Sequence, residues 1–457
     1  MNSTVATAPG ALPAVGHALA FLRDPLAFLA SLPAHGDVVA IRLGPRTVVV
    51  ACDPAVTREI LSAPRTFDKG GPFYDKARLL LGNGLGTSSW QDHRWQRRLL
   101  QPQFHAAQIK AYATVMTQEA VALAASWRPG QVIDARREFQ ALTIQVLNRA
   151  LFSLREDDQR LLARALPIAF DGVYWRMVIP LESWFRLPTP ANRRFTRARE
   201  CLRHVAANAI KEHHRTPDGP STLLSTLLDA RTDSGEALSE RDIHDQLVTI
   251  MFAGTDTTAD TLTSAFQLIS MHPEVEERLH EEVSTATGGR PLTPDALPAL
   301  DHTRRVVLET LRMFPPGWIV TRVTTTDTHL AGHHLPAGTD VLCSPYLHHH
   351  DPALFPDPNR FDPDRWLPHR NDTVPRGAMI PFGGGNRKCI GDQFALTQAT
   401  LVIAAIAAKW RLRSTSPLSP RPRMSLGPGR LRLICEPRTA ANPSPRPGDD
   451  PHPESDL

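Results

Sequence analysis

Apolar and polar positions divide the chain into a helical body with short strand-like pieces towards both ends. Residues 1–20, rich in Pro, Gly and Ala, carry no periodic face and predict an extended strap. Asp24-Pro25 opens a short helix, with the aspartate as cap and the proline in the first turn. Val38–Leu43 and Thr47–Ala51 are β-like runs joined at Gly44-Pro45, a hairpin pattern, and Asp53-Pro54 opens another helix. From about Gln91 to Lys211 apolar residues recur at three and four, with breaks at Pro129-Gly130 and around Leu187-Pro188-Thr189-Pro190. Asp218-Gly219-Pro220 separates this block from a long helix that starts near Ser239 and ends near Met271, before Pro273. Glu240 and Asp242 lie in its first turn, where negative charge suits the helix dipole.

The helix His302–Met313 is halted by Pro315-Pro316, and β-like pieces follow at Ile319–Val323 and Val341–Cys343. A loop from Ser344 to Arg387 comes next, longer than plain connections are, which marks it as functional or disordered. A last helix over Asp392–Lys409 and a strand over Arg430–Cys435 precede a Pro/Asp/Ser-rich tail, 437–457, expected to be disordered. The pattern has no internal repeat. It predicts one mainly α body with small β-sheets over residues 21–436, although 457 residues at ~150 per domain would suggest three.

Composition narrows the function. With 42% apolar and 21% charged residues the chain can bury a large core, and a net charge of +4 without a long basic run argues against nucleic-acid binding. Of the 51 basic residues 6 are Lys and 45 Arg, a bias of GC-rich bacterial coding and not of folding. Cys52, Cys201, Cys343, Cys389 and Cys435 stand far apart, which excludes a disulfide framework or zinc knuckle. The N-terminus lacks a basic start followed by an apolar block, and Leu401–Ala408 is far short of the ~20 residues that span a bilayer. A cytoplasmic protein without a membrane anchor is expected.

Chemistry concentrates in Pro381-Phe382-Gly383-Gly384-Gly385-Asn386-Arg387-Lys388-Cys389-Ile390-Gly391. Three glycines let the backbone fold closely around a group, and Cys389 follows two cations and precedes a helix N-terminus, features that favour thiolate. With no second ligand at metal-site spacing, the alternatives are a buried structural cysteine in a glycine-rich turn and a single axial bond to a metal already held by something else, as in haem. The run fits F-x-x-G-x-R-x-C-x-G throughout and resembles the cytochrome P-450 family of haem-thiolate enzymes.

Three more stretches carry the resemblance. Glu309 and Arg312 lie three apart on a helix, and Phe361-Asp362-Pro363-Asp364-Arg365-Trp366 supplies the arginine that joins them in the family. The resemblance gives Glu309, Arg312 and Arg365 a structural role. Met251-Phe252-Ala253-Gly254-Thr255-Asp256-Thr257-Thr258 gathers poor helix residues in mid-helix. In the family this is a local widening that admits dioxygen, with Thr257 as the alcohol that hydrogen-bonds it and Asp256 in the proton relay. His93 and Arg97 match the bacterial H-x-x-x-R, although many members have Trp where His93 stands and here Trp95 follows two residues later. Arg322 and Arg387 are the other expected partners of the haem propionates, with Phe382 and Gly391 beside the sulfur. The pairs His213-His214 and His333-His334 and the run His348–His350 sit in polar contexts and are expected to be solvated.

The resemblance implies a single triangular fold, haem b (iron protoporphyrin IX) on Cys389, dioxygen as co-substrate, and a monomer drawing electrons from a ferredoxin and its reductase. Family substrate-facing positions read Phe73, Tyr74, Met251, Phe252, Ala253, Pro316, Trp318 and Ile319, which favours a compact apolar substrate. The stretches starting at Asp24, Arg97 and Leu187 look like those of actinobacterial sesquiterpene hydroxylases. Alternatives are oxidation of a macrolide, polyketide or fatty acid, a peroxide-driven or non-oxidative haem enzyme, and a non-enzymatic haem sensor.

Overall fold

Short-range signals set the element starts. In the computed structural model, which describes residues 5–179, 182–215, 222–231, 235–371, 374–375, 377–417 and 419–438, Asp24 accepts a hydrogen bond from Ala27 N and opens the helix Pro25–Ser31. Asp53 likewise accepts from Ala55 N and Val56 N at the head of Pro54–Ser62. Ser239 and Asp242 form a reciprocal capping box that starts the 32-residue helix Glu240–Met271, about 48 Å long. The expected break at 218–220 and most of the tail lie outside the described residues.

This long helix is the axis of the molecule. It is buried over most of its length and packs on Ala135–Leu147, Asp301–Met313 and Asp392–Ala407. A five-stranded sheet lies to one side in the order Val38–Leu43, Arg46–Ala51, Asp340–Cys343, Val320–Thr324, Phe67–Asp68. Its first two strands form the expected hairpin, and only the pairing of Arg46–Ala51 with Asp340–Cys343 is parallel. The strap lies along this sheet, with Thr7 bridged to Ala40 and Gly16 to Leu43. Val132–Asp134, Arg432–Pro437 and Trp410–Ser414 make a second sheet.

Three features depart from the sequence reading. The octet 251–258 is continuous α-helix, and Thr255 and Thr257 turn their hydroxyls back onto Met251 O and Ala253 O at 2.7 Å without opening it. The π turn falls instead at Asn148–Phe152, after the neighbouring helix. The stretch 344–387 is no plain loop: it contains the helices Pro345–His349 and Pro368–Asn371 and the 3-10 turns Pro363–Trp366 and Gly385–Arg387.

Candidate active site

The cysteine loop is held by its own backbone and by close approach to the helix Pro54–Ser62. Cys389 N donates to Phe382 O at 2.9 Å and Gly383 N to Ile380 O at 3.0 Å. Gly385 has φ +63°, and a Cβ there would lie 2.1 Å from Leu61 O, so only glycine fits. Gly391 directs its N–H at the Cys389 sulfur. Burial, with Asp392 in the same direction, pushes this thiol up in the protein alone, while Gly391, Arg97 and Lys388 pull it down and favour the thiolate. The Cys389 side chain is nevertheless exposed. A group that is both desolvated and uncovered lines an interior hollow.

Beside the cysteine loop lies a cluster of cations. Arg387 donates to Ser88 O at 2.8 Å and to Asp68 Oδ1, and its Nε is buried without a partner. Arg322, 4% exposed, donates to the Tyr74 hydroxyl at 3.2 Å. Lys69 Nζ donates to Gly86 O at 2.7 Å and Leu85 O at 3.3 Å. Burial, and then Arg322 and Arg387, hold Lys69 well below the usual lysine range, and Cys389 pulls the other way. His93 is pushed down to about 3 by burial and then by Arg387, Lys69, Arg97 and Arg322. Lys69, Arg322 and Arg387 gather three basic groups around the one carboxylate of Asp68. Two buried arginines with Lys69 as a further donor suit an anionic group such as a dicarboxylate. A single thiol and this cradle fit a porphyrin with two propionates.

Behind the long helix a separate cavity of ≈ 410 Å³ reaches Asp256, which is buried. Gln140 Nε2 donates to its Oδ1 at 2.5 Å, and Arg136 Nη2 to its Oδ2 at 3.1 Å. Arg136 Nε also donates to Asp260 Oδ1 at 2.7 Å, one turn on. Burial raises Asp256 to about 6, against the pull of Arg136. Ser425 Oγ, on the cavity wall, is buried without a partner. Thr257 turns away from Asp256 and no hydrogen bond joins them.

Glu309, Arg312 and Arg365 meet. Arg312 donates to both Glu309 oxygens at 2.9 Å, Arg365 Nε reaches Oε1 at 3.4 Å, and Trp366 Nε1 donates to Oε2 at 2.9 Å. The first two side chains are 0% exposed, so this is a core ion pair with its remaining lone pairs satisfied.

Comparison with known proteins decides the family. A model described as cytochrome P-450 matches residues 7–434. The chain belongs to the cytochrome P-450 family. It is 47% identical over 440 residues to cyclooctat-9-en-7-ol 5-monooxygenase of Streptomyces melanosporofaciens, covering 95% of this chain and 96% of that one. It is 45% identical over 441 residues to pentalenene oxygenase of Streptomyces avermitilis, covering 95% and 97%. The crystal structure of the cytochrome P-450DA haem domain superposes with a TM-score of 0.86 at 27% identity, over 96% of this chain and 98% of that one. This is therefore a cytochrome P-450 monooxygenase whose family chemistry uses haem-thiolate iron and dioxygen. Among the described residues no helix is long and apolar enough to cross a membrane.

Several residues of this P-450 take other places than the sequence suggested. Met251 and Trp318, 1% and 4% exposed, are packed in the core and offer a substrate no surface; the Trp318 indole donates to Arg423 O and stacks on Phe21. Pro316 is buried, its carbonyl accepting from Leu426 N. Phe252 stacks on Phe170 at a centroid distance of 3.6 Å, and Tyr74 spends its hydroxyl on Arg322. Phe73 and Ile319 are half-buried, and Ala253 is exposed in the middle of a buried helix, so these three can face a ligand. Arg97 is tied to Gln101 Oε1 at 3.0 Å and to Lys388 O in the cysteine loop, and its charge acts on both His93 and Cys389. His348 and His349 are fully buried, which corrects their reading as solvated. Sequence reasoning missed Lys69, Asp68, Arg136, Gln140 and Asp260; the one local signal was a rare lysine in the turn Asp68-Lys69-Gly70-Gly71.

Proposed function

We propose that this enzyme binds haem b through Cys389, with Lys69, Arg322 and Arg387 opposite the propionates and His93 beside them, and hydroxylates a cyclic terpene. The observation that carries the reading is the uncovered Cys389 sulfur beside the basic cradle of Lys69, Arg322 and Arg387. When bound, the haem supplies the oxidising chemistry, activation of dioxygen and insertion of one oxygen atom into a C–H bond.

The chain's own part is to bind, exclude water and move protons. Asp256, at about 6, exchanges a proton readily near neutral pH with water in the rear cavity. With water between it and Asp256, Thr257 Oγ1, released from Ala253 O, relays by accepting one hydrogen bond while donating its own proton on the inner side of the helix. Phe382 packs at the loop start and its carbonyl fixes the Cys389 amide. Phe73, Ala253 and Ile319 give the substrate an apolar wall, which suits a hydrocarbon skeleton, and the names of relatives at 45–47% identity point to terpenes. Electrons come from a ferredoxin and its reductase, docking near the exposed Lys388.

The test is the carbon monoxide spectrum of the reduced holoenzyme. A thiolate-type band is expected, lost on Cys389→His; a band that survives the substitution overturns the assignment. Titration with cyclic terpenes should shift the iron spin state where macrolides and fatty acids do not, and turnover should fall as salt rises if the redox partner docks by charge.

A further inference from the structure

The run His348-His349-His350 has no part in the chemistry above, yet His349 sits where the ion-pair core meets the cysteine loop. Its side chain is 0% exposed. Nδ1 lies 3.1 Å from Arg312 O, Nε2 lies 2.9 Å from Ile380 N, and Arg312 Nη1 donates to the His349 carbonyl at 2.7 Å. The Ile380 amide can only donate, so Nε2 is the acceptor and carries no proton. Nδ1 then holds the proton and gives it to Arg312 O, which can only accept. The tautomer is fixed by its two backbone partners.

Each neighbour belongs to a different structure. Arg312 is locked to Glu309 in the core. Ile380 is the last residue before Pro381-Phe382, and its carbonyl holds Gly383 N at 3.0 Å while Phe382 O holds Cys389 N at 2.9 Å. One imidazole thus joins the fixed helix Asp301–Met313 to the start of the loop that ends on the sulfur. Phe355 closes the remaining side, edge-on at 6.2 Å.

We propose that His349 is a positioning residue for Cys389: as the Nδ1–H tautomer it ties Ile380 N to the Glu309–Arg312 core and so sets where the cysteine loop presents its sulfur. This rests on the reading of Cys389 as the iron ligand. Two half-lesions separate positioning from plain structural support. His349→Asn retains a donor in the place of Nδ1 and loses the acceptor for Ile380; His349→Gln retains an acceptor in the place of Nε2 and loses the bond to Arg312. Each variant loses one buried bond, so a merely structural residue makes them alike.

The holoenzymes are compared by the carbon monoxide band after reduction, by the reduction potential, and by hydrogen exchange of the segment 378–383. The expected result is a near wild-type thiolate band in His349→Gln and loss of more than half of it in His349→Asn. Ile380 exchange should be about tenfold faster in the Asn variant than in the Gln variant. Equal bands and equal exchange in the two variants overturn the proposal. Should neither variant fold, wild-type exchange decides: an Ile380 amide as fast as an open loop overturns it, and a strongly protected one supports it. A wild-type holoenzyme without a thiolate band would instead overturn the ligand assignment, a distinguishable failure.

Discussion

Arg136 is the residue through which the proton supply can be tuned without touching the haem side. Its guanidinium lies 3.1 Å from Asp256 and 2.7 Å from Asp260, and both carboxylates are buried. Two unit charges about 4 Å apart interact by about 4 kcal/mol at an effective dielectric of ~20. The Arg136 side chain is 30% exposed, and screening roughly halves that figure. About 2 kcal/mol corresponds to between one and two pH units. Arg136→Gln removes the attraction and leaves Asp260 as an unneutralised like charge, so both changes push Asp256 above its value of about 6. The sign for stability follows. Folding raises this carboxyl, so its contribution is full below the ordinary carboxylate range and is lost as pH rises through about 6. In the variant the loss starts at the same pH but extends upward by that interval and grows accordingly. The assay is hydroxylation rate against pH under saturating electron supply, repeated in heavy water. If protonated Asp256 feeds the reaction, the limb on which rate falls with rising pH moves up by at least about one unit in Arg136→Gln, and Asp256→Asn abolishes it with a larger solvent isotope effect. A limb that stays in place in Arg136→Gln refutes the relay through Asp256.

Three other substitutions and one control test the remaining parts of the structure. Glu309→Gln leaves the Arg312 cation at 0% exposure without its counter-charge and should cost about 3–5 kcal/mol in denaturant unfolding of the holoprotein. Lys69→Met removes one of the three basic donors of the cradle; loss of one bond to a charged propionate, about 1.5–3 kcal/mol, should speed haem transfer to a scavenging apoprotein ten-fold or more, with the thiolate band unchanged. Gly84→Ala would set a Cβ 2.1 Å from Thr249 Oγ1 and 2.5 Å from Asp245 O, a helix carbonyl that cannot yield, and should cost about 1–3 kcal/mol of stability. Gly317→Ala, with nothing within 4 Å, should be neutral in the same unfolding assay.

What could be read from the chain and what could not divide along sequence distance. The caps at Asp24, Asp53 and Ser239 and the turn at Gly385 satisfy partners a few residues away or demand a local backbone shape, so their signal is written locally. The cysteine motif is legible for the same reason. Lys69 is not: it is read as a turn lysine until Arg322 and Arg387 arrive from more than 250 residues downstream and surround it with charge. Asp256 was legible as an acid beside an alcohol, but its environment was not, because Arg136 and Gln140 belong to another helix and turn the carboxylate to the rear cavity. Three consecutive histidines look solvated by composition alone. Burial reverses this, since Thr57 binds His348 at 2.8 Å and Arg312 O and Ile380 N occupy both nitrogens of His349. Local polarity reports what a segment can bond to, while the tertiary partner decides whether that bond is made to water or to protein. A polar residue whose neutral form can serve two backbone groups at once is therefore as compatible with the core as an apolar one, and in this enzyme such a residue stands between the ion pair and the sulfur.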